Sequence, residues 1–369
     1  MIGGHGGNIY ELARRLDCAP SDICDMSANV NPLGPMPELV EHLKNRLSAM
    51  AFLPEVDAGT MVEAFARYHG VDPATVTAGN GTTQLIYRIP RALGAKKALV
   101  VGPTYADYQD ACAMHGVACE HLICPEADDF IPDMDAVRRS AASAGLVFLC
   151  NPNNPTGAMV AKDTITNLCR TLPDTVFVID ESYLPFAPHP EEVTLIGSDL
   201  PNLMVLNSMS KAFRIPGLRI GFIKAPADLL EKLNRFALPW SVNSLAQAAV
   251  QWLMTHPDAV EPFLAATRTT IEKEKGRTEE SIHQKSGARC FPSATSFILM
   301  RLPRGLKAAM VWEQLAAHRI LIRDCSNFTG LSDEFIRISM KGEDENRRAA
   351  DLLIELFRDH HIQREADGN

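Results

Sequence analysis

Asn207-Ser-Met-Ser-Lys-Ala-Phe-Arg-Ile-Pro-Gly-Leu-Arg-Ile-Gly221 is the stretch on which the reading of this chain turns. It follows Leu203-Met-Val-Leu206, a short run apolar enough to be a strand covered on both faces. Lys211 then stands just past a strand end, with hydroxyls at Ser208 and Ser210 and a guanidinium at Arg219. An amine so placed can form a Schiff base with an aldehyde cofactor, while the hydroxyls and Arg219 hold an anionic group on the same molecule. A solvated loop with ordinary charges explains a lone Ser-x-x-Lys better. The surrounding chain decides between them.

Three further apolar runs, Ala98-Leu-Val-Val101, Leu146-Val-Phe-Leu149 and Val176-Phe-Val-Ile179, precede this one. Helical spacing fills Tyr105 to His115 and Lys162 to Leu172 between them. That rhythm predicts an α/β fold, a mostly parallel sheet sandwiched by helices, with ligands gathering at the strands' carboxyl ends. Each run is followed by polar or turn residues: Gly102-Pro-Thr-Tyr105, Asn151-Pro-Asn-Asn-Pro-Thr-Gly157, Asp180-Glu-Ser-Tyr183 and Ser208 to Lys211. One converging site accounts for all four. Upstream, Val76-Thr-Ala-Gly-Asn-Gly-Thr-Thr-Gln84 reads as a turn opening a helix. Free N–H groups of Gly81, Thr82 and Thr83 would bind an anion there. The turn matches neither Gly-x-Gly-x-x-Gly nor a Walker loop, which disfavours nucleotides bound in those ways.

The opening Gly3-Gly-His-Gly-Gly-Asn8 is too rich in glycine for a helix or strand, and composition alone reads it as a loose terminus. Ile9 to Leu16 has helical spacing, and Ile23 to Gly34 runs extended into a turn at Asn29-Val-Asn-Pro32. Pro37 to Met50 and Gly59 to Gly70 read as amphipathic helices separated by Phe52-Leu-Pro54. Past Pro239-Trp-Ser-Val-Asn243 the pattern is helical to about Lys285, in one long connector. Strand-like Ser296 to Arg301, a helix near Met310 to His318, Ile320 to Arg323, Phe335 to Met340 and a closing helix follow. We expect an arm over 1–36, a large domain over 37–265 and a smaller α+β domain over 266–369.

A chain of 369 residues is too long for one simple core, so two lobes are expected. The net charge of -9 gives no electrostatic reason for a nucleic-acid or anionic-membrane partner. No apolar run approaches the roughly 20 residues that span a bilayer, and Met1 to His5 is no signal sequence. Nine cysteines without a Cys-x-x-Cys pair read as free thiols of a reducing compartment, with no metal site. The expected location is cytoplasmic.

The cofactor that makes sense of these groups is pyridoxal 5'-phosphate. Its aldehyde needs an amine, Lys211, and its ring nitrogen needs a carboxylate, Asp180, to stay protonated. Asn154 and Tyr183 can donate to the ring oxygen, and Tyr105 can stack on the ring. Gly81, Thr82 and Thr83 amides, Ser208, Ser210 and Arg219 can hold the phosphate end. Taken singly, Asp180 could be a helix cap and Asn154 a turn residue; taken together those explanations fail.

Asn151-Pro-Asn-Asn-Pro-Thr-Gly157, Asp180-x-x-Tyr183 and Ser208-x-x-Lys211-x7-Arg219 resemble the class I/II aminotransferase family of fold type I, from about His5 to Asn346. The resemblance implies that Lys211 is the Schiff-base lysine, Asp180 the ring-nitrogen partner and Arg219 a phosphate ligand. It places Arg337 where this family holds the substrate α-carboxylate, and it implies a homodimer with sites at the interface. Ser210-Lys-Ala-Phe213 and Asp180-Glu-Ser-Tyr183 are similar to the histidinol-phosphate aminotransferase branch. His5-Gly-Gly-Asn-Ile9, Ser27 to Gly34, Pro239 to Asn243 and Ile320-Leu-Ile-Arg-Asp-Cys325 resemble the threonine-phosphate decarboxylase branch of cobalamin synthesis.

The decarboxylase resemblance turns the arm into an active-site flap. It implies that His5, Gly6, Asn29, Asn154, Arg323 and Arg337 contact a phosphorylated amino acid. The expected reaction is decarboxylation of O-phospho-L-threonine or a similar substrate to an amino-alcohol phosphate. The alternative is amino transfer from histidinol phosphate to 2-oxoglutarate. One departure stands out: where both branches carry a Tyr-Pro reaching the partner subunit's cofactor phosphate, this chain has Leu53-Pro54, and leucine donates no hydrogen bond. A regulator that has kept the fold and lost the chemistry is disfavoured, because the lysine, aspartate and arginines are intact.

Overall fold

The computed structural model describes residues 6–366. In chain order its strands are β1 (Cys24–Asp25), β2 (Val76–Asn80), β3 (Lys97–Gly102), β4 (Ala118–Ile123), β5 (Leu146–Cys150), β6 (Val176–Asp180) and β7 (Leu203–Ser208). There follow β8 (Ile220–Lys224), β9 (Arg289–Cys290), β10 (Phe297–Arg301), β11 (Ile320–Leu321), β12 (Arg323–Asp324) and β13 (Phe335–Ser339). Seven of them form the main sheet in the order β2-β8-β7-β6-β5-β3-β4. Only β8 runs against its neighbours, so the sheet is mostly parallel, as the sequence rhythm implies.

The apolar runs lack polar alternation because both faces of the sheet are covered. Leu99, Val147, Ile179 and Val205 pack to one side with Phe65 and Phe222. Val100, Phe148, Val178 and Leu206 pack to the other with Ile86 and Tyr108. The edge strand β4 alternates in exposure along Ala-Cys-Glu-His-Leu-Ile, and sequence reading passed it over for that reason. The sequence reading assigned no element to β8. It is the antiparallel strand joining β7 to β2.

The second sheet, β12-β13-β10-β9, is antiparallel. Ile298, Met300, Ile336 and Ile338 pack there against Val311 and Leu315 of helix Ala308–Ala317 and Leu353 and Phe357 of helix Glu343–Ala366. Ile320 to Arg323, expected as one strand, is divided: β11 pairs with β1, while β12 pairs with β13. The expected single connector is also divided, into helices Ser244–Thr255 and Pro257–Lys285. His256 leaves the helical region at φ -123 and ψ 56 because the next residue is proline, which excludes helical geometry before it. Helix Pro37–Lys44 stops short of the expected Met50, giving way to a 3-10 turn over Leu47–Ala51. Among the described residues no helix is long and apolar enough to cross a membrane.

Candidate active site

The carboxyl ends of β3, β5, β6 and β7 converge with the start of helix Gly81–Leu93 around a cavity of about 140 Å³. Every cofactor-contact residue expected from the sequence lines it, from Gly81, Thr82 and Thr83 through Tyr105, Asn154, Asp180, Tyr183, Ser208 and Ser210 to Lys211 and Arg219. Sequence reasoning missed Tyr108, Cys150 and Ser182, which line it too.

Lys211 is carried on the short helical turn Met209–Ala212 directly after β7. Burial, and then the guanidinium groups of Arg219 and Arg337, lower its pKa to about 8, although Asp180 pulls the other way. Its amine therefore spends a useful fraction of time neutral near physiological pH. Asp180 closes β6, buried, and its Oδ1 accepts from the Ser182 amide at 2.9 Å while Oδ2 accepts from the Tyr108 hydroxyl at 2.8 Å. Burial raises its pKa and these donors oppose the rise. A cation beside it would complete the compensation.

At the other end of the cavity the backbone comes unusually close. A Cβ on Gly221 of β8 would lie 2.4 Å from the Thr82 nitrogen, and one on Gly81 would lie 2.7 Å from Arg219 Nη2. Gly81 also has φ +76, a conformation costly for any residue with a side chain. Asn80, at the N-cap, makes no side-chain capping bond, so the first-turn amides are left for another acceptor. Uncapped amides beside Arg219 suit a phosphate. With Lys211 and the buried Asp180 carboxylate lining the same cavity, the donor set fits pyridoxal 5'-phosphate.

A larger cavity of about 610 Å³ shares Tyr105, Asn154, Tyr183 and Lys211 with the first. Gly6, Asn29, Arg323 and Arg337 line it, together with Gln109, Asp110, Asn327, Phe328 and Thr329, which no motif flagged. Arg323 and Arg337 are register partners across β12 and β13. Arg337 is buried and donates to Asn154 Oδ1 and, at 2.6 Å, to the Ser27 carbonyl, yet its Nε has no partner among the described residues. Arg323 donates to Asn327 Oδ1 at 2.6 Å and lies over the Phe328 ring. Asn29 has both ends engaged: Oδ1 accepts from Ser339 Oγ at 2.6 Å and Nδ2 donates to Tyr183 Oη at 3.3 Å. It lines the cavity and braces Tyr183.

The arm reaches this cavity. The Gly7 amide donates to Ser27 Oγ at 2.7 Å, and a Cβ on Gly6 would lie 2.9 Å from the Ser27 carbonyl oxygen. His5 lies outside the described residues. Leu53 is 76% exposed, beside Phe52 at 74% and Met50 at 71%, far from any polar role. The Trp240 amide donates to Val56 O at 2.9 Å, so another exposed aromatic pairs with the residue three positions after Leu53.

The family model for aminotransferase class I and II matches residues 21–353. The threonine-phosphate decarboxylase of Salmonella typhimurium is 30% identical over 348 residues, covering 93% of this chain and 94% of that protein. The histidinol-phosphate aminotransferase of Akkermansia muciniphila is 30% identical over 358 residues, covering 95% of each. The adenosylcobalamin biosynthesis bifunctional protein CobDQ of Leptospira interrogans is 29% identical over 358 residues; they are 96% of this chain but 41% of that longer protein. The crystal structure of L-threonine-O-3-phosphate decarboxylase from Porphyromonas gingivalis has a TM-score of 0.81 at 31% identity, covering 90% of this chain and 99% of that one. By the reach of the family match and the identity of these relatives, the chain belongs to the class I and II aminotransferase family, enzymes that depend on pyridoxal 5'-phosphate.

Proposed function

We propose that this enzyme decarboxylates O-phospho-L-threonine, or a similar phosphorylated amino acid, to an amino-alcohol phosphate for cobalamin nucleotide-loop synthesis. The observation that carries the reading is the Arg323–Arg337 pair on the wall of a cavity that also reaches Lys211. Two cations side by side repel unless anions lie between or beside them. A substrate with both a phosphate and a carboxylate supplies two. The relatives named for threonine phosphate and adenosylcobalamin synthesis support the choice.

When bound, pyridoxal 5'-phosphate supplies a conjugated cationic ring that accepts the electron pair of the bond broken at the substrate's Cα. The residues of this chain decide which bond that is. Asp180 holds the proton on the ring nitrogen. Arg323 grips the substrate phosphate, with His5 and Asn29 assigned to the same end. Arg337 and Asn154 set the carboxylate. A firm grip by Arg323 on the remote phosphate would fix the substrate's orientation about Cα, and that orientation would select loss of the carboxylate as carbon dioxide. Lys211 would supply the proton that replaces it at Cα. The arm, hydrogen-bonded to Ser27, excludes water above the reacting groups.

A second reading is amino transfer from histidinol phosphate to 2-oxoglutarate, favoured by Asp180 to Tyr183, Ser210 to Phe213 and the Akkermansia relative. In that case the Cα–H bond is presented to Lys211. The deciding experiment supplies purified enzyme with O-phospho-L-threonine and, separately, with histidinol phosphate plus 2-oxoglutarate. Carbon dioxide from the first supports the decarboxylase, and glutamate from the second overturns it in favour of the aminotransferase. We further assign residues 37–265 to the cofactor-binding domain and 266–369 to the smaller one, with 1–36 as the flap. The working form is taken as a cytoplasmic homodimer joined across the exposed Met50, Phe52, Leu53 and Trp240 face, with no nucleic-acid or membrane partner.

A further inference from the structure

The segment Pro103-Thr-Tyr-Ala-Asp-Tyr108 brings two tyrosines to the cofactor cavity by different routes. Tyr105 precedes helix Asp107–Met114 and borders both cavities, whereas Tyr108 lies in the helix's first turn and is 1% exposed. The Tyr108 ring stacks on Phe148 of β5 at 5.0 Å and meets the Tyr105 ring edge-on at 5.8 Å. Packing on both sides directs the hydroxyl toward Asp180 and Cys150. It donates to Asp180 Oδ2 at 2.8 Å, across 72 residues of sequence.

We propose that Tyr108 is a positioning residue for the cofactor, holding Asp180 ionised and oriented so that Asp180 can hold the proton on the ring nitrogen. The proposal rests on the cofactor reading above and adds a residue to it. The physical argument is one of compensation. Asp180 is buried, which favours its neutral form, and a neutral carboxyl group would not stabilise a cationic ring. The Ser182 amide on Oδ1 and the Tyr108 hydroxyl on Oδ2 oppose this, with the Ser182 hydroxyl acting in the same direction. The amide belongs to the turn after β6 and no side-chain substitution removes it. The Tyr108 hydroxyl is the donor on Oδ2 that a substitution can delete. Tyr108 itself stays protonated, because burial and the neighbouring Asp180 push its pKa well above the ordinary value, so it remains a donor throughout the working pH range.

The test uses Tyr108→Phe, which keeps the ring and its stack on Phe148 and deletes only the donor. Cofactor is added to wild-type apoenzyme and to Y108F, and two quantities are read: the dissociation constant, by quenching of protein fluorescence, and the pH midpoint of the bound cofactor's visible absorption. A lost hydrogen bond to a charged group predicts about tenfold weaker binding. The absorption midpoint should move upward, since a ring with less positive charge releases its other proton less readily. The same pair is measured in an Asp180→Asn background, where the Tyr108 change should have no further effect on either quantity. Unchanged binding and an unchanged midpoint in Y108F overturn this inference while leaving the cofactor reading intact. An equal effect of Y108F with and without Asp180→Asn overturns it as well, since Tyr108 would then act as packing alone. Wild-type protein that binds no cofactor overturns both.

Discussion

Arg323 and Arg337 stand opposite one another as register partners on β12 and β13, and both border the cavity that reaches Lys211. Like charges placed across a strand pair destabilise the sheet unless something anionic separates them. Arg337 is largely committed to Asn154 and Ser27, whereas Arg323 answers to Asn327 and the face of Phe328. The two thus have different neighbours, and under the proposed function they meet different anionic groups of the substrate.

Replacing Arg323 with alanine should separate substrate binding from cofactor binding. A lost charge-assisted contact to a phosphate is worth about 2–3 kcal/mol, or roughly 30–150-fold in kcat/KM. Cofactor affinity, measured on the same preparation, should change less than threefold. Equal losses in both would mean that Arg323 supports the fold of the site and does not touch the substrate.

The lowered pKa of Lys211 makes a prediction about the apoenzyme's stability. In the folded chain the group titrates at about 8, against an ordinary value of 10.5, so between those values the unfolded chain binds more protons. Stability from this group therefore rises with pH across that window, and the cost of burying the charge is fully present below pH 8. Lys211→Met removes that cost. The variant apoenzyme should melt above wild type at pH 7 and the gap should close by about pH 10.5, as differential scanning calorimetry can record. A gap independent of pH would place the lysine's charge in water.

Gly221→Ala tests the close approach at the phosphate end. The added Cβ would meet the Thr82 nitrogen at 2.4 Å and the Gly81 carbonyl carbon at 2.7 Å, both backbone atoms that have little room to move. Overpacking of this kind costs about 1–3 kcal/mol. The first turn of helix Gly81–Leu93 should shift, and cofactor affinity should fall along with the melting temperature. Wild-type affinity in the alanine variant would show that these amides do not hold the phosphate.

The exposed Phe52 and Leu53 predict self-association. Burying both on a partner contributes about 3–5 kcal/mol, so Phe52→Asp combined with Leu53→Asp should weaken the dimer by at least about a hundredfold. Sedimentation at micromolar concentration distinguishes the outcomes. A wild-type protein that is monomeric under these conditions removes the interface from the account.

Most of the fold could be read from the chain because the central strands are buried on both faces. Leu146 to Cys150 shows an unbroken apolar run for that reason. The edge strand β4 did not, since its residues alternate between exposed and half-buried positions and carry Glu120 and His121. The cofactor cavity was legible through the turns after β3, β5, β6 and β7, where polar residues have no role in the sheet itself. Tyr108 was not, because its one decisive partner lies across the sheet, and spacing along the chain carries no trace of it. Asn29, expected from resemblance to contact the substrate, lines the larger cavity, but its bonds to Ser339 and Tyr183 leave no trace in the spacing of the chain. Gly221 closes the very motif that marks the lysine, yet its closeness to Thr82 appears only when β8 is laid beside β2.

The central claim is a covalent tether between Lys211 and the cofactor aldehyde, and it has one direct measurement. Holoenzyme is treated with borohydride, digested, and the labelled peptide sequenced by mass spectrometry. The account predicts a stable phosphopyridoxyl group on Lys211 and none in Lys211→Met. Label on another lysine, or no label in protein that carries the cofactor's visible absorption, would contradict it.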